Sequence, residues 1–268
     1  VAYGADVSEP TVIVERDDGI VTATLNRPEK KNAANGRMWQ ELLQLFGEVR
    51  HRRADRVLVL AGAGGDFCSG ADITDPAGVS GDPEDPHLLR MQFLGEVAQA
   101  LHDLPKPTIA KVRGVAAGAG LSLALGCDLT VVAASARLSV IFSRRGLSVD
   151  GGASWLLPRL VGLHRAKALA FFGDLLPAAE AAEIGLVNRV VPDAELDTVV
   201  DDWARRLADG PPLALALTKR LLEHGATASM AQALEAEATA QTVNFATADT
   251  AEALRAFAER RPPRFHGR

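Results

Sequence analysis

The sequence predicts an α/β fold with a largely parallel sheet. Three observations carry that prediction. Arg56–Ala61 (RVLVLA) is a continuous apolar run and Thr108–Val112 a β-branched one, the kind of strand a sheet covered on both faces requires. Segments with apolar residues at helical spacing alternate with these strands. Beyond Ser143 the strands give way to helices, so a helical C-terminal third is expected.

Taken in order, Thr11–Glu15 and Ile20–Leu25 are β-rich runs joined by Asp17-Asp18-Gly19, a hairpin signal. The polar loop Asn26–Ala33 leads to a helix with Met38, Leu42, Leu45, Phe46 and Val49 on one face. That helix ends in Arg50, His51, Arg52, Arg53 and Arg56, read as a solvated end complementing the helix dipole. Arg56–Ala61 runs into a glycine-rich turn, Gly62–Ile73. Asp75–Pro86, rich in Pro, Gly and Asp, predicts a mobile loop or lid. A helix carrying Leu94, Val97, Ala98, Leu101 and Leu104 stops before Pro105. Strands are expected at Leu129–Ala133 and Arg137–Val140. Helices are expected at Gly151–Leu160, Arg165–Phe172, Pro177–Glu183, Glu195–Ala208, Pro212–His224, Met230–Ala246 and Thr250–Arg261. Asp249 with Glu252 reads as a capping box for the last of these.

A chain of 268 residues, 47% hydrophobic and 24% charged, is long enough for one large domain with a sizeable core. Its net charge of −5 argues against a general nucleic-acid binder. Two cysteines, Cys68 and Cys127, cannot build a disulfide framework and lack metal-ligand spacing, which suits a reducing cytoplasm. With few, scattered histidines, no metal site is expected. The first ten residues carry neither a basic nor an apolar leader region, and no run reaches the roughly 18 residues of a membrane span.

The chemistry concentrates in Arg113–Asp128 (RGVAAGAGLSLALGCD), where a strand meets Gly114, Gly118 and Gly120 and passes into an apolar helical run. Such a turn brings bare backbone N–H groups and a helix N-terminus to one spot, suited to a phosphate or an oxyanion. Leu123 stands where a dinucleotide fingerprint needs its third glycine, and no Gly-Lys-Ser/Thr follows. The turn at Gly62–Ile73 repeats the device. Two amides aimed at one oxygen from two turns make an oxyanion hole.

The segments LNRPEKKNA (Leu25–Ala33), DFCSGADI (Asp66–Ile73), KPTIAKVRGVAAGAG (Lys106–Gly120), GLSVDGGASWLLPRLVG (Gly146–Gly162), AAEIGLVNRVV (Ala181–Val191) and AFAERRPPRF (Ala256–Phe265) resemble, in register, the crotonase or enoyl-CoA hydratase/isomerase superfamily. The resemblance covers almost the whole chain. It implies a spiral of ββα turns over residues 1–195 holding an acyl-CoA site, and a helical oligomerisation region over 196–268 that packs homotrimers, often as hexamers. It implies that the Ala71 and Ala119 amides hold the thioester oxygen. Coenzyme A, part of the substrate and not a separate cofactor, would meet Arg27, Lys30, Ala33 and Ile73, with Phe257 and Arg260 covering the nucleotide from a neighbouring subunit.

The departures from the family pattern point to the reaction. Hydratases of this family manage a water with two glutamates; the matching positions here are Ser122 and Phe142. One carboxylate appears instead, Asp150, and VDGGASWLLPRLVG is most similar to the phenylacetate-pathway isomerases, in which a single Asp moves a proton along the acyl chain. The expected reaction is therefore a double-bond shift with Asp150 as acid/base, although Asp150 could also serve as a helix N-cap. Asp66, Asp72 and Asp128 read as turn and cap residues, and Cys68 as packing. The rival readings are a hydratase drawing a carboxylate from the 75–85 loop, an Asp150 nucleophile as in aryl-CoA dehalogenases, a non-catalytic CoA-binding scaffold, and an RNA binder using Arg50, Arg52, Arg53 and Arg56. The net charge and the lack of interleaved aromatics weigh against the last. Met91, Phe93 and Leu94 are the candidate acyl-pocket residues.

Overall fold

The computed structural model describes residues 9–75, 82 and 84–268. Most of the expected lid, residues 76–81 and 83, lies outside the described residues.

The hairpin of β1 (Val12–Asp17) and β2 (Ile20–Leu25) turns through Asp18 and Gly19, whose φ angles of 43° and 84° are those a type I′ turn needs. Then comes α1 (Gly36–His51), capped by the Asn35 side chain on the Met38 amide. The chain continues through β3 (Val57–Gly62), α2 (His87–His102), β4 (Thr108–Val112), β5 (Val115–Ala117), α3 (Ala119–Leu125), β6 (Leu129–Ala133) and β7 (Arg137–Ser139). After these come α4 (Ala153–Val161), α5 (Leu163–Phe172), β8 (Leu176–Pro177), α6 (Ala178–Glu183), β9 (Arg189–Val191), α7 (Leu196–Ala208), α8 (Pro212–Gly225), α9 (Met230–Phe245) and α10 (Ala248–Glu259).

Six strands form one sheet in the order β1-β2-β3-β4-β6-β9, parallel except for the opening hairpin. A second sheet, β5-β7-β8, stands beside it. Each face of the large sheet has its own apolar layer. On one, Leu58, Leu60, Ala110 and Val132 pack with Trp39, Phe46, Leu101 and Leu125. On the other, Val57, Val59, Ile109 and Val131 meet Leu196, Val200 and Ala204 of α7. Burying each such Val, Leu or Phe contributes about 1.5–3 kcal/mol. Both faces are covered, which is why RVLVLA reads as an unbroken apolar run.

Three sequence expectations need correction. Strands do continue past Ser143: β8 and β9 are too short for periodicity to register, and each exists by pairing with a distant strand. The second glycine turn is interrupted by β5, which pairs with β7. The cap of α10 is Thr247, whose hydroxyl accepts the Thr250 amide at 3.2 Å. Asp249 is instead buried inside the helix and takes the amides of His266 and Gly267 at 2.7 and 2.8 Å. Glu252 pairs with Arg261 at 2.6 Å. The C-terminal tail folds back on the helix and offers these acids better donors than the helix start does.

The C-terminal helices leave large apolar side chains in the open, among them Leu222, Met230, Phe245 and Phe257. No residue of α8 is buried. Among the described residues no helix is long and apolar enough to cross a membrane.

Candidate active site

The two glycine turns meet. Cys68, in the first, bridges to Ala116 in β5, and Ala71 bridges to Ala34 ahead of α1. In that second bridge Ala34 donates to the Gly70 carbonyl and accepts from the Asp72 amide, each at 2.8 Å. Ala71 between them therefore turns its own N–H to the opposite side, the alternation any strand obeys. Ala119 is the first residue of α3, where no intrahelical acceptor exists for its N–H. Among the described residues neither amide donates to another backbone group. Gly70 has a φ of 114°, open only to glycine, and a side chain there would sit 3.1 Å from the Ala117 carbonyl and 3.7 Å from the Ala119 nitrogen. At Gly120 a Cβ would come within 2.4 Å of the Cys68 carbonyl, so glycine sets how closely α3 approaches the first turn.

These turns form the wall of a cavity of about 390 Å³, which Lys30, Ala33, Ile73, Phe142, Arg145 and Asp150 also line. The structure thus brings together Ala71, Ala119, Asp150, Lys30, Ala33 and Ile73 of the expected set. Arg27 stands just behind the wall, donating to the Ala33 carbonyl and to Asp72. Phe257 and Arg260 line no part of this cavity in their own chain, and Phe257 is 85% exposed. Sequence reasoning missed Arg145, which lies just before the segment Gly146–Gly162, and Leu147, which lies inside it but was given no role.

Two carboxylates line the cavity. Asp72 accepts from Arg27 at 2.9 Å, Lys30 at 3.1 Å, and both the amide and hydroxyl of Thr74 at 3.0 and 2.6 Å. Burial alone would raise its pKa, but these bonds outweigh it and hold the carboxyl well below the usual range. Asp150 is the reverse. Its Oδ1 is buried with no hydrogen-bond partner, and burial pushes its pKa up to about 6. It does not cap α4: that position is Gly152, with no side-chain cap. Ser122 and Phe142, which the resemblance puts at the two hydratase glutamate positions, are both buried, and the Ser122 hydroxyl donates to the Asp150 carbonyl at 3.0 Å. Cys68 is fully buried and its thiol is pushed up to about 11, so it is no nucleophile at neutral pH.

A second cavity of about 390 Å³ adjoins the first, with Ala119 as a shared wall. It is lined by Trp39, Leu94, Leu123, Trp155 and Leu156, and by Gly95, beside which a Cβ would meet nothing within 4 Å. His102 and Trp155 meet edge to face at 5.0 Å on its rim. Of the expected acyl-pocket residues only Leu94 lines it; Phe93 packs on the core and Met91 is exposed. Trp39 and Trp155 are two of the chain's three tryptophans, and that scarcity was the one available signal for them.

Most of the basic cluster after α1 is engaged structurally. Arg50 donates to the Asp103 carbonyl, Arg52 pairs with Asp55, and Arg56 donates to the Gly210 carbonyl. Asp66 and Asp128 receive the amides of Val115 and Thr108, as turn acids should. Among the described residues no group of three or more His, Cys, Asp or Glu could hold a metal ion.

The enoyl-CoA hydratase/isomerase family model matches residues 15–268. The 1,2-epoxyphenylacetyl-CoA isomerase of Escherichia coli (strain K12) is 38% identical over 253 residues, covering 94% of this chain and 97% of that one. The short-chain-enoyl-CoA hydratase of Clostridium acetobutylicum is 32% identical, covering 93% of this chain and 95% of its own. The crystal structure of an enoyl-CoA hydratase from Bacillus anthracis superposes with a TM-score of 0.90 at 30% identity, covering 96% of this chain and all of that one.

Proposed function

This chain belongs to the enoyl-CoA hydratase/isomerase family and is an enzyme of it; from that premise we propose that it shifts a double bond in an enoyl-CoA, with Asp150 as its single acid/base. The observation that carries the proposal is the state of the carboxylates. The cavity holds one unpartnered carboxyl, with a pKa near neutrality, beside two free amides. The reading is supported by Ser122 and Phe142, both buried, standing where the resemblance puts the two acids that would manage a water.

In this reading the thioester oxygen sits between the Ala71 and Ala119 amides. Ionised Asp150 takes a proton from the α-carbon of a 3-enoyl-CoA. The electron pair spreads into a dienolate, whose oxygen accepts stronger bonds from the two amides than the thioester did. Protonated Asp150 then returns the proton at the γ-carbon, giving the 2-enoyl-CoA with no water gained or lost. A pKa near 6 serves both transfers better than an ordinary carboxylate would. Coenzyme A would run past Lys30, Ala33 and Ile73, with Arg27 bracing Asp72 behind them. The acyl tail would enter the chamber of Trp39 and Trp155, whose apolar walls suit a compact, ring-bearing group. Residues 196–268, with their exposed apolar side chains, would assemble a trimer or hexamer in which Phe257 and Arg260 reach a neighbour's nucleotide. The two free, buried thiols accord with a cytoplasmic setting.

The test is turnover of 3-enoyl- and 2-enoyl-CoA esters, including ring-bearing ones, in heavy water. An isomer with no water gained or lost, whose formation Asp150→Asn abolishes and which carries solvent deuterium to the extent that the proton on Asp150 exchanges before its return, supports the proposal. Addition of one water would make it a hydratase. No turnover with CoA binding intact would make it a scaffold.

A further inference from the structure

We propose that Ser122 is a positioning residue: its hydroxyl ties the Asp150 loop to α3 and so places the carboxyl while leaving that carboxyl without bonds of its own. The inference rests on the role given to Asp150 above. A carboxylate can be fixed in two ways. Bonds to its oxygens fix it and also stabilise its charge, as at Asp72. A base that must stay weakly held has to be placed through its backbone instead.

The structure holds Asp150 in the second way. Its carbonyl accepts from the Ser122 hydroxyl at 3.0 Å and from the Ala153 amide at 3.1 Å, which fixes the peptide plane that follows. Ser122 is 2% exposed, and its hydroxyl also lies 3.3 Å from the carbonyl of Gly118, in the second glycine turn. One side chain therefore touches both the acid/base loop and the turn that supplies the Ala119 amide. The fit is close: a Cβ at Gly151, whose φ is 58°, would sit 3.0 Å from the Ser122 Cβ. A longer acid at position 122, the hydratase arrangement, would meet this loop. Serine there is a small anchor whose length matches the gap.

Ser122→Ala should fold, because both carbonyls keep a second donor, the Ala153 amide for Asp150 and the Ser122 amide for Gly118. It should lower kcat about tenfold, the effect of one lost neutral hydrogen bond. KM should stay within twofold, and the acid limb of the pH–rate profile should move below 6 as the loosened carboxyl meets more water. Ser122→Thr, which keeps the hydroxyl, should recover most of the rate. In an Asp150→Asn background the same Ser122→Ala change should cost almost nothing further, since a residue acting through Asp150 has nothing left to place. Gly151→Ala, which presses the loop off α3, should lose at least as much rate as Ser122→Ala. An equal loss from Ser122→Ala in both backgrounds, an unmoved acid limb, or a fully active Gly151→Ala would overturn the inference while leaving Asp150 as the base. Full activity of Asp150→Asn itself would instead bring down the proposed function.

Discussion

Asp72 and Asp150 line one cavity and are treated in opposite ways. Asp72 is surrounded by donors from Arg27, Lys30 and Thr74 and stays charged. Asp150 is given a buried oxygen, no donor and a raised pKa. Stabilising a charge and making it reactive are competing uses of the same chemical group. The first needs partners; the second needs their absence. Here one acid holds the wall together and the other, in the proposed reaction, is kept free for proton transfer.

The sharpest way to break this contrast is to neutralise each acid in turn. Asp150→Asn should cut kcat by about 10²–10⁴, the usual contribution of a positioned acid/base, with CoA affinity retained in a binding titration; an equal loss of kcat in Asp72→Asn would erase the distinction. Next, Gly70→Ala should lower kcat by about 10²–10³, as loss of one oxyanion donor does, because the new methyl crowds the Ala117 carbonyl at a φ of 114°; circular dichroism of the variant would separate this from unfolding.

The pH dependence tests the same point in the unaltered enzyme. The proposed reaction needs ionised Asp150, so kcat/KM should rise with pH through a single ionisation near 6. Asp72 is ionised throughout that range and should add no limb. Stability should respond with opposite signs. Asp72 has a lowered pKa, so its contribution is present above the ordinary carboxylate pKa and is lost in strong acid. Asp72→Asn should therefore destabilise the fold by about 1–3 kcal/mol at pH 7, partly by leaving Arg27 without its partner. Asp150 has a raised pKa, so its ionisation costs stability as pH climbs from 3.8 to about 6, and the full cost remains above that. Asp150→Asn should be more stable than the parent by about 1–2 kcal/mol at pH 8, after discounting for partial exposure. Urea titrations at pH 8 and below pH 4, where the gain should vanish, would measure it.

Much of this was legible in the sequence, and for physical reasons. RVLVLA had to be a strand covered on both faces, and two glycine turns after two strands had to bring backbone close to something. Those signals are local. The bonds around Asp72 were not legible, because Arg27 and Lys30 lie 45 and 42 residues before Asp72 in the chain and nothing local pairs them with an acid read as a turn residue. Nor was the loneliness of Asp150, since the absence of a partner has no sequence pattern. Asp249 misled for the opposite reason: its spacing to Glu252 fitted a cap, but the returning C-terminal tail claimed both acids. The short strands β8 and β9 are made by their distant partners and not by their own residues.

The two amides of the cavity come from separate windings of the chain, joined through the Cys68–Ala116 bridge. In the proposed reaction each winding supplies one of the two bonds that the enolate oxygen needs. In the proposed reaction activity is thus tied to completed winding, because a chain stalled between the two turns lacks both the Ala119 amide and Asp150, which come after the second turn begins. Specific activity would then count finished molecules.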